Sequence, residues 1–227
     1  MGKDNIAISL LNVYSTVIVK VGSQTILFDP VEVDPDRFSD LSLIIVTHEH
    51  VDHFDKKLVT EIQRKTEAKI LTTPFIAKRL CTPGNSVISM EIGDSFRIKK
   101  DLCIYAEYSK HVANQPLVFF IQSSLATIFH PNDSEYFPEM ETLREKYHPL
   151  IMIFLGTSMQ NLLNISTIIK PEVIISYAYP FIGSFNLPST EIVAGTEIVG
   201  TEIVTLKQFA WYYYPQNAGI DGLIQKY

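Results

Sequence analysis

Cysteine, clustered basic residues and long apolar runs are all scarce in this chain, and each scarcity narrows what it can be. Cys81 and Cys103 are the only two cysteines in 227 residues. Neither stands in a C-x-x-C pair or beside a histidine, so both are expected as buried thiols, with a single disulfide between them left open. No apolar run approaches the ~20 residues needed to cross a bilayer. Met1 to Asn5 is polar and lacks the layout of a signal peptide. A soluble, cytoplasmic protein with no membrane partner is therefore expected. Lys and Arg number 19 against 25 Asp and Glu, a net charge of -6. The basic pairs Lys56-Lys57 and Lys99-Lys100 are isolated, so a nucleic-acid backbone would be repelled rather than gripped. No low-complexity linker interrupts the chain, and one domain over residues 1–227 is expected.

What is present is a globular balance: 46% hydrophobic and 19% charged residues, too apolar for disorder. Short β-like runs at Ile6 to Leu11, Val17 to Val21 and Gln24 to Phe28, with Gly22-Ser23 as a hairpin turn, predict an opening meander closed by Asp29-Pro30. Leu43 to Val46 is continuously apolar, the pattern of a strand buried on both faces. Asp55 is placed to cap a helix from Lys56 to Lys65, with Leu58, Val59 and Ile62 on one stripe. Pro74 opens a helix through Leu80. Further strand patterns lie at 69–71, 87–90, 96–98, 102–108, 117–121, 125–129, 150–155 and 173–177, with helix patterns at 139–146 and 158–170. Two strand-rich blocks, each followed by helices, fit two packed sheets with helices outside. Thr-Glu-Ile-Val recurs from Thr190, Thr196 and Thr201, a period too short for a solenoid unit, so local duplication in a surface element is expected. The aromatic run Trp211 to Tyr214 reads as core or packing surface rather than a binding box.

The segment Thr47-His48-Glu49-His50-Val51-Asp52-His53 follows the Leu43 to Val46 run directly and gathers three of the six histidines. Imidazole nitrogen and carboxylate oxygen suit zinc and similar divalent ions. Residues two apart in extended chain point the same way, so His48 and His50 can grip one ion. Asp52 and His53, on the turn into the next helix, can face a second. Four potential ligands at one strand end point to a metal rather than to an ordinary polar loop.

The H-x-H-x-D-H of residues 48–53 matches the signature of the metallo-β-lactamase superfamily. With the opening meander, Ile26 to Pro30 (ILFDP) and Leu43 to Asp55 (LIIVTHEHVDHFD), the chain resembles its ascorbate-6-phosphate lactonase-like hydrolases over residues 6–180. The resemblance implies an α+β fold, a four-layer αββα sandwich with the metal site at one edge. It implies one or two divalent metal ions, zinc first and manganese as the alternative. It also implies later ligands: His111, after the 102–108 strand, as the third histidine on the first ion, and Asp133, in IFHPNDS, as the aspartate bridging both. His130 matches a histidine that stands behind such a site. Read from the residues alone, His111 could be a lone loop histidine and Asp133 a turn or N-cap residue. Three departures stand out. Asn132 replaces a glycine, and Val13-Tyr14 replaces a Gly-His pair. Ala178, in Ile175-Ser176-Tyr177-Ala178-Tyr179, stands where a final ligand histidine is expected. Alanine binds no metal, so the second ion is expected to be weak or absent. His148 has no assignable part in replacing it.

The activity so implied is hydrolysis of an ester, lactone, amide or phosphodiester by a metal-held hydroxide, on a small-molecule substrate. Asp52 would orient the nucleophile and receive its proton. The core does not select among these bonds. Ala178 motivates a second expectation, a metal-binding or scaffold protein of the same fold without turnover. A third, an RNA-processing nuclease, sits poorly with a net charge of -6. Oligomeric state leaves no mark in the sequence.

Overall fold

The structure, a computed structural model, describes residues 5–80, 82, 84–155, 158–177, 198 and 200–215. Cys81, Ala178 and the Thr190 copy of Thr-Glu-Ile-Val lie outside the described residues, as does most of the Thr196 copy. Contacts divide the chain into two compact units, one of Met1–Glu91, Ala113–Leu117 and Gln208–Tyr227, the other of Ile92–Val112 and Val118–Lys207.

The first unit opens with the expected meander, β1 (Ile6–Leu10), β2 (Val17–Val21) and β3 (Gln24–Phe28), paired antiparallel. Gly22 turns the β2–β3 hairpin at φ 60, a conformation that costs glycine nothing. From β3 the sheet continues in parallel through β4 (Leu43–Val46), β5 (Lys69–Thr72) and β6 (Val87–Ser89). All four β4 residues are fully buried, as their unbroken apolar run predicts for a strand covered on both faces. Helix α1 (Lys56–Thr66) starts where Asp55 accepts from the Lys57 and Leu58 N–H groups, and it lays Val59 and Ile62 on Ile44 and Ile70. Helix α2 (Pro74–Ala77) ends earlier than the expected Leu80. There the Arg79 N–H turns back to the Ile76 carbonyl, a tighter bond that ends the regular helix while still burying Leu80.

The second unit holds β7 (Ser95–Lys99), β8 (Leu102–Tyr108), β9 (Leu117–Ser123), β10 (Thr127–His130), β11 (Ile151–Ile153), β12 (Val173–Tyr177) and β13 (Glu202–Leu206), in that order across one sheet. Strands β10 to β13 run parallel. Helices α3 (Met140–Tyr147) and α4 (Met159–Ile169) place Leu143, Leu162, Ile165 and Ile169 in one cluster with Phe120, Phe129 and Met152. The Thr201 copy of Thr-Glu-Ile-Val falls on the edge strand β13. The last strand, β14 (Trp211–Tyr214), returns to the first unit and pairs antiparallel with β1, burying Trp211, Tyr212 and Tyr213 as expected of core. Among the described residues no helix is long and apolar enough to cross a membrane.

One buried acid outside the motif is fully accounted for. Glu107 on β8 accepts from the Lys146 ammonium at 2.8 Å and from the Tyr147 hydroxyl. The Tyr147 ring stacks on Phe120 at 4.3 Å. Burial first, and the bond to Glu107 second, push the Tyr147 hydroxyl from its ordinary 10.0 up to about 12. The folded state thus keeps a proton that the unfolded chain gives up. The Tyr147 contribution to stability is complete below about pH 10 and is lost as the pH rises to about 12. In urea titrations the wild-type midpoint should fall through that window. Tyr147→Phe should flatten part of the fall and cost about 1–3 kcal/mol at neutral pH by leaving Glu107 short of a donor. An alkaline limb as steep in the variant as in the wild type would show that Tyr147 is not its source.

Candidate metal centre

The first group of candidate ligands grows from the carboxyl end of β4, inside a parallel run of strands, which is where open α/β sheets place their ligands. Asp29, at the end of β3, turns inward at φ 43 and is fully buried. Its carboxylate accepts the Thr47 N–H at 2.8 Å and the Thr47 hydroxyl at 2.8 Å, and it meets His53 Nδ1 at 2.8 Å. Burial raises the Asp29 carboxyl above its ordinary value, and His53 first and then Thr47 offset only part of that rise.

With Asp29 ionised, counting protons along this chain assigns two tautomers. An ionised carboxylate only accepts, so His53 carries its proton on Nδ1 and keeps the lone pair on Nε2. The Thr47 hydroxyl has one proton and gives it to Asp29, so at its 3.0 Å contact with His48 Nδ1 it accepts. His48 is therefore also an Nδ1–H tautomer with its lone pair on Nε2. A histidine whose far nitrogen is tied to a carboxylate or a hydrogen-bond chain is the usual form of a metal-ligating imidazole. The His48 ring centroid lies 4.6 Å from that of His50 and 4.1 Å from that of His53. Three imidazoles so close suit neutral ligands around cations far better than three positive charges. The donor set fits divalent metal. Asp52 is half-exposed, with Oδ2 at 3.9 Å from His53 Nε2. The turn carrying both is closed by the His53 and Phe54 N–H groups on the His50 carbonyl.

The second unit carries the other two expected ligands. His111 Nε2 lies 3.7 Å from Asp133 Oδ2. Their two stretches are zipped together by Glu135 N–H to Lys110 O at 2.9 Å and Lys110 N–H to Ser134 Oγ at 3.0 Å. Asp133 is not a helix cap, since α3 begins only at Met140. Asn132, the departure from glycine, sits at φ 50, a left-handed position that glycine occupies freely and asparagine tolerates better than most residues. The change is thus compatible with the same turn. Asn161 on α4 holds that turn, giving Nδ2–H to Ser134 O and accepting the Tyr136 N–H. His130 is buried behind it and accepts the Asn132 N–H at Nδ1. His148 is the exposed, left-handed residue ending α3, and it stands in neither candidate ligand group among the described residues. A cavity of about 520 Å³ in this unit is lined by His111 and Asp133 together with Lys110, Tyr136, Gln160 and Asn164.

Several organising residues were not legible as such. Asp29 was readable only as the end of a meander. Asn12 accepts the Tyr14, Ser15 and Thr16 N–H groups and donates to the Val31 carbonyl, shaping the loop in which Val13 and Tyr14 stand exposed. Ser15 in that loop gives its hydroxyl proton to the Asp52 carbonyl. An asparagine just before a turn is the one local sign of this. Glu49 accepts from both the backbone and the side-chain amide of Asn114, within the first unit. Burial works to raise the Glu49 carboxyl, but the bonds from Asn114 outweigh it and hold it below its ordinary value.

A sequence model described as the beta-lactamase superfamily domain matches residues 16–165. A UPF0173 protein of Pyrococcus furiosus is 27% identical over 172 residues, covering 73% of this chain and 80% of that protein. A UPF0173 metal-dependent hydrolase of Caldivirga maquilingensis is 28% identical over 141 residues, covering 58% of this chain and 61% of that one. Among solved structures, Igni18, a metallo hydrolase of the hyperthermophilic archaeon Ignicoccus hospitalis, matches with a TM-score of 0.78 at 20% identity, over 92% of this chain and 98% of that chain.

The Asp29 network makes a prediction that needs no metal. Asp29→Asn replaces one accepting oxygen by a donor, so Thr47 and His53 keep both contacts in the buried site only by reversing a proton and giving up the tautomer described. In metal-free protein this should cost about 1–3 kcal/mol, read from urea unfolding. A variant as stable as the wild type would mean that the network is not closed as described.

Proposed function

This chain belongs to the metallo-β-lactamase superfamily and has its α+β fold, and on that premise we propose that it is a metal-dependent hydrolase of small polar substrates. The observation that carries the reading is the pair of Nδ1 contacts, His48 with the Thr47 hydroxyl and His53 with the Asp29 carboxyl, which leave Nε2 of each ring to serve as the ligand nitrogen. In this reading, which follows the resemblance, His48, His50 and His111 would hold the tighter ion, since three neutral imidazoles suit zinc and leave a position for water. Asp52 and His53 would hold the second ion, with Asp133 the ligand that the resemblance shares between the two. Zinc is the first candidate and manganese the alternative. Such cations would lower the pKa of water at the site and polarise the oxygen of an ester, lactone or phosphodiester bond. Asp52, half-exposed on the turn between His50 and His53, orients the attacking water and takes its proton. Ser15 steadies that turn through the Asp52 carbonyl. The cavity beside His111 and Asp133 has no aliphatic side chain in its described lining, which favours a substrate rich in hydrogen-bonding groups over a lipid. The name of the Caldivirga maquilingensis relative, a metal-dependent hydrolase, agrees with this reading.

Two measurements test it. Chelation should abolish hydrolysis across a panel of ester, lactone and phosphodiester substrates, and added zinc or manganese should restore it. Asp52→Asn should lower kcat by about 10²–10⁴-fold. Metal-loaded protein that turns over none of the three bond types would instead favour a scaffold that binds metal without catalysis. Ala178 bears on the second ion, because the resemblance puts it in the place of a ligand histidine. Ala178→His should raise metal content after dialysis from about one ion per chain towards about two. Unchanged metal content in a folded variant would remove the missing-ligand argument.

A further inference from the structure

We propose that Glu49, the residue between the first two histidines of the motif, is a positioning residue that sets the loop carrying His111 and so tunes metal affinity. This rests on the reading of His48, His50 and His111 as ligands of one ion. Alternation along extended chain sends His48 and His50 to one side and Glu49 to the other. There the Glu49 carboxylate receives the Asn114 N–H at 2.9 and 3.1 Å on its two oxygens, and the Asn114 side-chain amide as well. Residues 65 apart in sequence are joined by three contacts.

Between the end of β8 at Tyr108 and the start of β9 at Leu117 there is no helix or strand segment, and Val112 is 91% exposed. Gln115 takes a left-handed conformation at φ 56. His111 is bracketed by two tethers, the Lys110 bonds to Ser134 and Glu135 on one side and the Glu49–Asn114 clasp on the other. Only Val112 and Ala113 lie between His111 and the clasp. Glu49 is half-exposed and Asn114 exposed, so bonds between them compete with water and do little for folding. Their worth is in geometry: a carboxylate engaging backbone and side chain of one residue fixes both its position and its orientation. Both Glu49 oxygens accept from Asn114, which turns the carboxylate towards the loop rather than towards the histidines.

The test is zinc affinity of the full chain, measured by competition with a chromophoric chelator, alongside urea unfolding of the metal-free protein. Glu49→Gln puts a donor where Asn114 needs an acceptor. Asn114→Ala removes the side-chain half of the clasp and spares the backbone half. Each should weaken zinc binding, Glu49→Gln by about 10–100-fold and Asn114→Ala by less, as loss of a ligand's supporting contact does. The metal-free unfolding midpoint should stay within error of the wild type in both. The double variant should bind zinc no more weakly than Glu49→Gln alone, because the two residues form one device. Wild-type zinc affinity in both single variants would overturn the proposal while leaving the metal centre standing. A lowered metal-free midpoint with unchanged zinc affinity would overturn it too, by making the clasp purely structural. A wild-type chain that binds no zinc would overturn the metal centre and this inference together.

Discussion

A single buried carboxylate sets the chemistry of the motif. Asp29 lies at the end of one strand and takes every hydrogen bond it can from the loop that follows the next: the Thr47 N–H, the Thr47 hydroxyl and His53. A charge out of water is costly unless it is paired and hydrogen-bonded, and these three donors offset part of that cost. With Asp29 ionised, the direction of each proton follows. Thr47 has none left for His48, so His48 must supply its own, and both imidazoles are left with the same nitrogen as base. The adjacent Asn12 loop is built in the same manner, from an amide that satisfies three backbone N–H groups at once. Polar networks of this kind hold a side chain to one rotamer and one tautomer, which apolar packing alone does not do.

The second unit follows the same rule with different residues. Asn161 is a helix residue, yet its amide is spent on the loop of Asp133 rather than on its own helix. The left-handed Asn132 and the buried His130 complete that loop. Both candidate ligand groups are thus carried on loops and held by side-chain to backbone bonds, while the sheets beneath supply rigidity through their apolar residues.

What could be read from the sequence follows how local each signal is. The H-x-H-x-D-H motif, the strand that feeds it and the Asp55 cap are contiguous, and each stands where its pattern places it. The meander and the buried aromatic strand near the C-terminus were likewise legible as elements. The partner of that strand was not, because pairing across nearly the whole chain leaves no local trace. Asp29 escaped for the same reason: its partners lie 18 and 24 residues away. Glu49 escaped because its partner lies 65 residues away, and a glutamate between two histidines looks like a solvated spacer. His111 and Asp133 could be named only through resemblance, since one histidine and one aspartate carry no pattern of their own. Asn132 looked like a departure until its φ showed what the position asks for.

The pairing of β1 with β14 has a consequence for biosynthesis. The first sheet receives its edge partner only when residues 211–214 have been made, long after β1. At translation rates of about 5–20 residues per second, β1 waits roughly 10–40 s with one edge unpaired. An open edge is a template for any other nascent strand nearby. Ile6, Ala7 and Ile8 on that strand are apolar and offer no charged side chain to blunt such pairing. The nascent chain should therefore depend on ribosome-associated chaperones until its final aromatic strand emerges, and truncation before Trp211 should yield aggregates rather than a shorter soluble protein.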